Sequence, residues 1–132
     1  MISEEELENK IKGLEKVIVV APRRSGQTTR LINKMKEFIG SDLVLEYHTV
    51  TQKQENLFKQ EHAYLFEKRE FRRKAVFIDH IQLLSLSKLV SIINDDVSYL
   101  YGTAHSNYDK QDAIVKFLVS NGCVFVDACR ID

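Results

Sequence analysis

Apolar residues follow two rhythms along this chain. Short runs rich in β-branched residues recur at Val17 to Val20, Leu43 to Tyr47, Ala75 to Ile78, Val97 to Tyr101 and Cys123 to Val126. Their length and composition predict strands. "VIVV", "AVFI" and "CVFV" are apolar throughout, as strands covered on both faces must be. Between them the spacing becomes helical. Leu31, Ile32, Met35, Phe38 and Ile39 share one helical face, with Gly40 as a natural terminator. A second helix is predicted over much of Gln52 to Lys68. A third spans about Ser85 to Asn94, with Leu86, Leu89, Val90 and Ile93 facing inward. A fourth covers Asp109 to Ser120, stopped by Asn121-Gly122. Ser3 and Glu6 have the spacing of a capping box for an N-terminal helix within residues 1–15.

Strand–helix alternation implies crossover connections. The expectation is therefore an α/β fold of three layers, with a mostly parallel central sheet of about five strands flanked by helices. A length of 132 residues suits one domain, 1–132, around one core. Ligands of such sheets sit at the carboxyl ends of the strands. That puts Ala21 to Thr29, His48 to Val50, Asp79 to Gln82 and Gly102 to His105 on one rim.

Composition changes this picture little. Hydrophobic residues make up 44% and charged residues 29%, ordinary for a globular protein. The formal net charge is zero, so no global field draws the chain to nucleic acid or membrane. Lys68, Arg69, Arg72, Arg73 and Lys74 form one basic stretch that could touch a phosphate backbone or serve a neighbour's site. More often such a stretch is the solvated end of a helix before a strand. No apolar run has the length of a membrane span, and the acidic start lacks a signal-peptide pattern, so a cytoplasmic location is expected, in a cell or an infected host. Cys123 and Cys129 have no metal-type partner set and read as reduced thiols, with no zinc expected. His48, His62 and His105 lack metal spacing and read as surface or rim residues.

Chemistry concentrates after the first strand, in Ala21-Pro22-Arg23-Arg24-Ser25-Gly26-Gln27-Thr28. The phosphate-loop pattern G-x-x-x-x-G-K-[ST] matches at Gly26 and Thr28 but not at Ala21 and Gln27. Such a loop turns successive N–H groups onto an anion, and the following helix adds its dipole. Residues Pro22, Arg23, Arg24, Ser25, Gly26, Gln27, Thr28 and Thr29 are thus the candidate nucleotide-binding set. Thr28 would ligate Mg²⁺. A lysine would neutralise the terminal phosphates, and glutamine cannot; losing one such group typically costs on the order of 3 kcal/mol in the transition state. Arg23 and Arg24 offer substitute charge. Asp79 closes the strand of "KAVFIDHIQLL", where a carboxylate would hold Mg²⁺ opposite Thr28. His80 follows, in the place of a catalytic carboxylate, and a neutral imidazole can accept a proton.

"APRRSGQTTRLI" resembles the "PR-x-x-GKTT" loops of phage large-terminase motors and related helicase-like ATPases of the P-loop NTPase superfamily, with Arg23 at the arginine position. "VFID" is similar to their metal-binding strand. "YGTA" is similar to their coupling motif, which makes Thr103 a candidate sensor. The resemblance runs from about Val17 to Thr103 and implies ATP with Mg²⁺. Gln27 and His80 depart from it, and a terminase nuclease domain or a second helicase lobe has no counterpart here. "SGQTTRLI", "FIDHIQLL" and "YGTAHSNY" also resemble the "SGKTTELI", "IDE-x-QFF" and "YGL-x-x-DF" motifs of thymidine kinases, with Gln82 at their glutamine but no zinc-binding lasso. The expected function is nucleotide binding with weak or lost hydrolysis, in an accessory or regulatory unit of phage type that works with a protein partner or as a homo-oligomer. The alternatives are a degenerate thymidine kinase-like protein and a non-catalytic interaction module on the same fold.

Overall fold

The computed structural model describes residues 3–22, 24–66, 73–106 and 112–128. Arg23, Lys68, Arg69, Arg72, Asp109 and Cys129, named above, lie outside the described residues. The elements are α1 (Glu4–Ile11), β1 (Lys16–Ala21), α2 (Gln27–Lys36), β2 (Val44–His48), α3 (Gln52–Glu61), β3 (Lys74–Ile78), α4 (Leu86–Ile92), β4 (Val97–His105), α5 (Ala113–Ser120) and β5 (Val124–Asp127). Single 3₁₀ turns at Ala63–Leu65 and Ile81–Leu83 follow α3 and β3.

The five strands form one sheet in the order β2-β3-β4-β1-β5, and every pairing is parallel. Alternate side chains feed opposite faces. Val17, Val19, Ala21, Phe77 and Tyr101 meet Leu7 and Ile11 of α1, Leu31 and Met35 of α2, and Phe58 of α3. Ile18, Val20, Val76, Ile78 and Leu100 meet Leu89 and Ile92 of α4 and Leu118 of α5. Helices thus cover both faces, giving the three-layer α/β arrangement the alternation implied. Cys123 is buried in the second cluster, and burial pushes its thiol up to about 11, against a smaller opposing pull from Lys16.

Helix starts fall into two kinds. Ser3, Thr51, Ser85 and Asp112 cap α1, α3, α4 and α5, each side chain accepting from a first-turn N–H. Such caps contribute about 1 kcal/mol each. α2 starts instead at Gly26, in the left-handed conformation (φ 80°), with no side-chain cap.

Three expectations need correction. β4 does not stop at Tyr101 but continues to His105, paired with β1 as far as Ala21. Gly102 is there for close packing rather than for a turn: a Cβ would lie 2.7 Å from Ile18 Cδ1. On α4, Leu86 and Val90 are 40% and 53% exposed, because this short helix sinks only Leu89 and Ile92, followed by Ile93. α2 ends at Lys36, which leaves Ile39 in the following turn and exposed.

Candidate functional site

The register explains how the rim is built. Ile78, the last residue of β3, pairs with Gly102, so β4 overruns β3 and sets Thr103 beside Asp79. Across the same gap, β1 delivers the chain into the loop and α2. Within the loop, Ser25 Oγ donates to the Pro22 carbonyl at 2.6 Å. Arg24 is left-handed at φ 59° and Gly26 at φ 80°. The Arg30 N–H closes the first helical turn on the Gly26 carbonyl at 3.0 Å. The N–H groups of Gln27, Thr28 and Thr29 precede that bond, where a helix has no acceptor of its own. No acidic residue stands in this first turn.

Asp79 is buried, at 3% exposure, and both its carboxylate oxygens accept hydroxyl hydrogen bonds. Thr28 Oγ1 donates to Oδ2 at 2.9 Å, and Thr103 Oγ1 donates to Oδ1 at 2.6 Å. The Asp79 N–H donates to the His48 carbonyl at 2.9 Å and its carbonyl accepts from Thr49 Oγ1 at 3.3 Å, so the residue is fixed by its backbone too. His80 follows in a left-handed turn (φ 57°), and its N–H donates to Thr103 Oγ1 at 2.9 Å. Its Nε2 stands 3.8 Å from Asp79 Oδ2, and its ring centroid lies 5.5 Å from that of His105.

Of these groups, Thr28, His80 and His105 border a small cavity of about 170 Å³, while Asp79 and Thr103 stand behind its lining. Arg24, Gly26, Thr28 and Thr29 line it from the loop, with His80 and His105 from the strand ends; Pro22 and Gln27 complete its wall. The volume suits phosphate groups rather than a whole nucleotide, whose base and sugar would extend beyond it. Gln27 reaches the wall but is committed elsewhere. Its Nε2 donates to the carbonyls of Val19 (3.0 Å) and Ala104 (3.2 Å), and its Oε1 accepts from Arg30 Nη1 at 3.2 Å. Ser25 turns its hydroxyl back on Pro22. Arg73 and Lys74 belong to the amino end of β3, where Arg73 bonds Ser98 and Lys74 pairs with Glu46 at 2.9 Å.

Among the described residues no group of three or more His, Cys, Asp or Glu converges on a common point. Thr28 and Asp79 offer hard oxygens only, the donor type that suits Mg²⁺, which takes few protein ligands and completes its shell with phosphate and water.

Two features carry no signal in the sequence pattern. Arg30 braces the loop, with Nη2 on the Ser25 carbonyl at 2.5 Å and Nε on Glu4 at 2.8 Å. The second is an ion-pair cluster on α3. Buried Glu55 accepts from Lys88 Nζ at 2.7 Å and faces His48 Nδ1 at 3.1 Å. The other ring nitrogen of His48 faces Glu46 at 3.1 Å. The His48 hydrogen bond, helped by Lys74 and opposed by burial, draws the Glu46 carboxyl down to about 2. His48 is therefore the centre of a structural network rather than a simple rim residue. The partners are too far apart in sequence for any local periodicity to join them.

No protein-family model matches this chain, and no curated protein matches it. No helix among the described residues is long and apolar enough to cross a membrane.

Proposed function

We propose that this chain binds the phosphates of a nucleotide, ATP with Mg²⁺, through residues 22–29, and that hydrolysis is weak or lost. One observation carries the reading: the Thr28 hydroxyl lies 2.9 Å from the buried Asp79 carboxylate, at the mouth of a helix that no side chain caps. A hydroxyl and a carboxylate from distant points in the chain meet where a metal bound to a phosphate would need both. The exposed N–H groups of the first turn of α2 suit the phosphate oxygens. Arg24 supplies charge from the loop side, and Arg23 would add to it. Thr103 holds the second Asp79 oxygen and the His80 N–H together, so it would register any change at Asp79.

The case against fast turnover rests on Gln27 and His80. The Gln27 carboxamide gives both its hydrogens to main-chain carbonyls and has none left for a phosphate. His80 stands in the base position, with its ring on the cavity wall, and is the catalytic candidate for whatever hydrolysis remains. A nucleotide-gated accessory unit in the cytoplasm, acting on a protein partner or on further copies of itself, fits such a site. The motif resemblance favours a motor-related, phage-type setting.

The test is thermal unfolding with Mg²⁺ and ATP, GTP or thymidine, paired with phosphate release. Mg²⁺-ATP at a hundred times its dissociation constant stabilises by about 2.7 kcal/mol, a rise of roughly 8 °C. Phosphate release should stay near background, and Asp79→Ala should lose the Mg²⁺-dependent part of the shift. No response to any nucleotide in the parent protein defeats the proposal and favours an interaction module. A response to thymidine would point to the kinase-like alternative.

A further inference from the structure

The lysine position of the loop holds a glutamine that is fully engaged, by two main-chain carbonyls and by Arg30. We propose that Arg30 is the positioning residue of this loop and Gln27 its adaptor, so that glutamine here is a structural requirement rather than a lesion. The inference deepens the phosphate-loop reading and rests on it for the loop's purpose, though the contacts themselves involve no ligand.

Three guanidinium nitrogens of Arg30 are in use. Nε bonds Glu4 of α1, Nη1 bonds the Gln27 side chain, and Nη2 bonds the Ser25 carbonyl at the crest of the loop. The Arg30 side chain is only 12% exposed, whereas Glu4 is 70% exposed, so solvent meets the far end of the chain of contacts and not the loop end. Gln27 then ties Arg30 to the sheet, because its amide hydrogens go to β1 at Val19 and to β4 at Ala104. One carboxamide thus joins two strands, the helix and the loop.

This junction needs a side chain that donates twice and accepts once. A carboxamide does both; an ammonium has three donors and no acceptor. Lysine at 27 could serve the two carbonyls. It would also leave Arg30 Nη1 without its acceptor and set a second cation against a mostly buried guanidinium. The like charges would push Arg30 off the Ser25 carbonyl and free the loop crest. Replacing Arg30 by a neutral residue would remove the conflict but also the contact to the Ser25 carbonyl, so 27 and 30 act on the loop as one unit. With the carboxamide spoken for, neutralising bound phosphate falls to Mg²⁺ and the loop arginines.

The experiment is residue-resolved amide hydrogen exchange on ligand-free protein, with calorimetric titration of Mg²⁺-tripolyphosphate. Gln27→Lys should speed exchange at residues 24–28 at least tenfold while leaving β3 and α4 within about twofold. It should not tighten tripolyphosphate binding. Adding Arg30→Gln should speed exchange there no further than Gln27→Lys alone, because both changes release the same Ser25 contact. If Gln27→Lys does not fold, Gln27→Met and Arg30→Gln singly must each loosen the same five residues and no others. Unchanged or uniformly faster exchange in Gln27→Lys overturns the proposal, as does tripolyphosphate binding more than tenfold tighter. If the exchange pattern holds and no protein binds tripolyphosphate, the brace stands and the nucleotide reading alone falls.

Discussion

Asp79 and Glu55 are both buried carboxylates at the carboxyl end of the sheet, each 3% exposed, yet they are satisfied in opposite ways. Glu55 has Lys88 at 2.7 Å and His48 at 3.1 Å, and that cluster continues to Glu46 and Lys74. Asp79 has the hydroxyls of Thr28 and Thr103, and among the described residues the nearest titratable nitrogen, on His80, is at 3.8 Å. A hydroxyl can rotate its hydrogen elsewhere when a cation arrives; an ammonium already in contact cannot be displaced so cheaply. Glu55 is thus a closed structural element. Asp79 is an acid held in place by neutral donors, the arrangement a divalent ion would complete. The two are joined, since Lys88 Nζ donates to the Thr49 carbonyl at 2.6 Å and Thr49 Oγ1 donates to the Asp79 carbonyl. The closed cluster is the frame on which the open one is mounted.

The contrast can be broken by measurement. Glu55→Gln should give the largest loss, because it leaves Lys88 and His48 facing a neutral amide in a mostly buried setting. About 3 kcal/mol is expected, roughly a 10 °C fall in Tm, read by thermal and urea unfolding. A loss below about 1 kcal/mol would mean that the cluster is not the frame. Glu46 sharpens the point through pH. Its folded carboxyl sits at about 2 against an ordinary 4.5, so the unfolded chain takes up the proton first as pH falls. Its contribution is complete above about pH 5 and fades as pH drops from 4.5 towards 2. After allowance for its partial exposure this is about 2 kcal/mol, seen as a pH-dependent gap between the parent and Glu46→Gln. Asp79→Asn should have the smallest effect on the ligand-free protein, within about 1 kcal/mol, since the amide oxygen still accepts and the unpaired charge is gone. The same change should abolish Mg²⁺-dependent nucleotide stabilisation. A large ligand-free loss would place Asp79 with Glu55 as a structural acid.

The layer order and the meeting of Thr28 with Asp79 were legible because both follow from local signals: β-branched runs, a glycine before a helix, an acid after a strand. Parallel topology then forces strand ends onto one rim. The Glu55 cluster and the Arg30 brace were not legible. Their contacts are set by register and by which helix covers which face, and nothing periodic marks a glutamate in the middle of α3 as buried. The role of Gly102 is hidden for a related reason. Glycine in a sequence signals a turn or a close approach equally, and only the position of Ile18 on the neighbouring strand decides. Helical spacing points Leu86 and Val90 inward, but a helix of seven residues buries too narrow a stripe to include them.

Arg24 and His80, the left-handed non-glycine residues among those described, stand on the two sides of the same small cavity. For an L-residue that shape costs on the order of 1 kcal/mol, and leaving it means crossing a torsional barrier rather than sliding along a slope. Each side of the cavity thus carries one residue in a costly shape that its surroundings alone maintain, so a substitution by glycine at either position would relieve backbone strain without removing a packed side chain of the core.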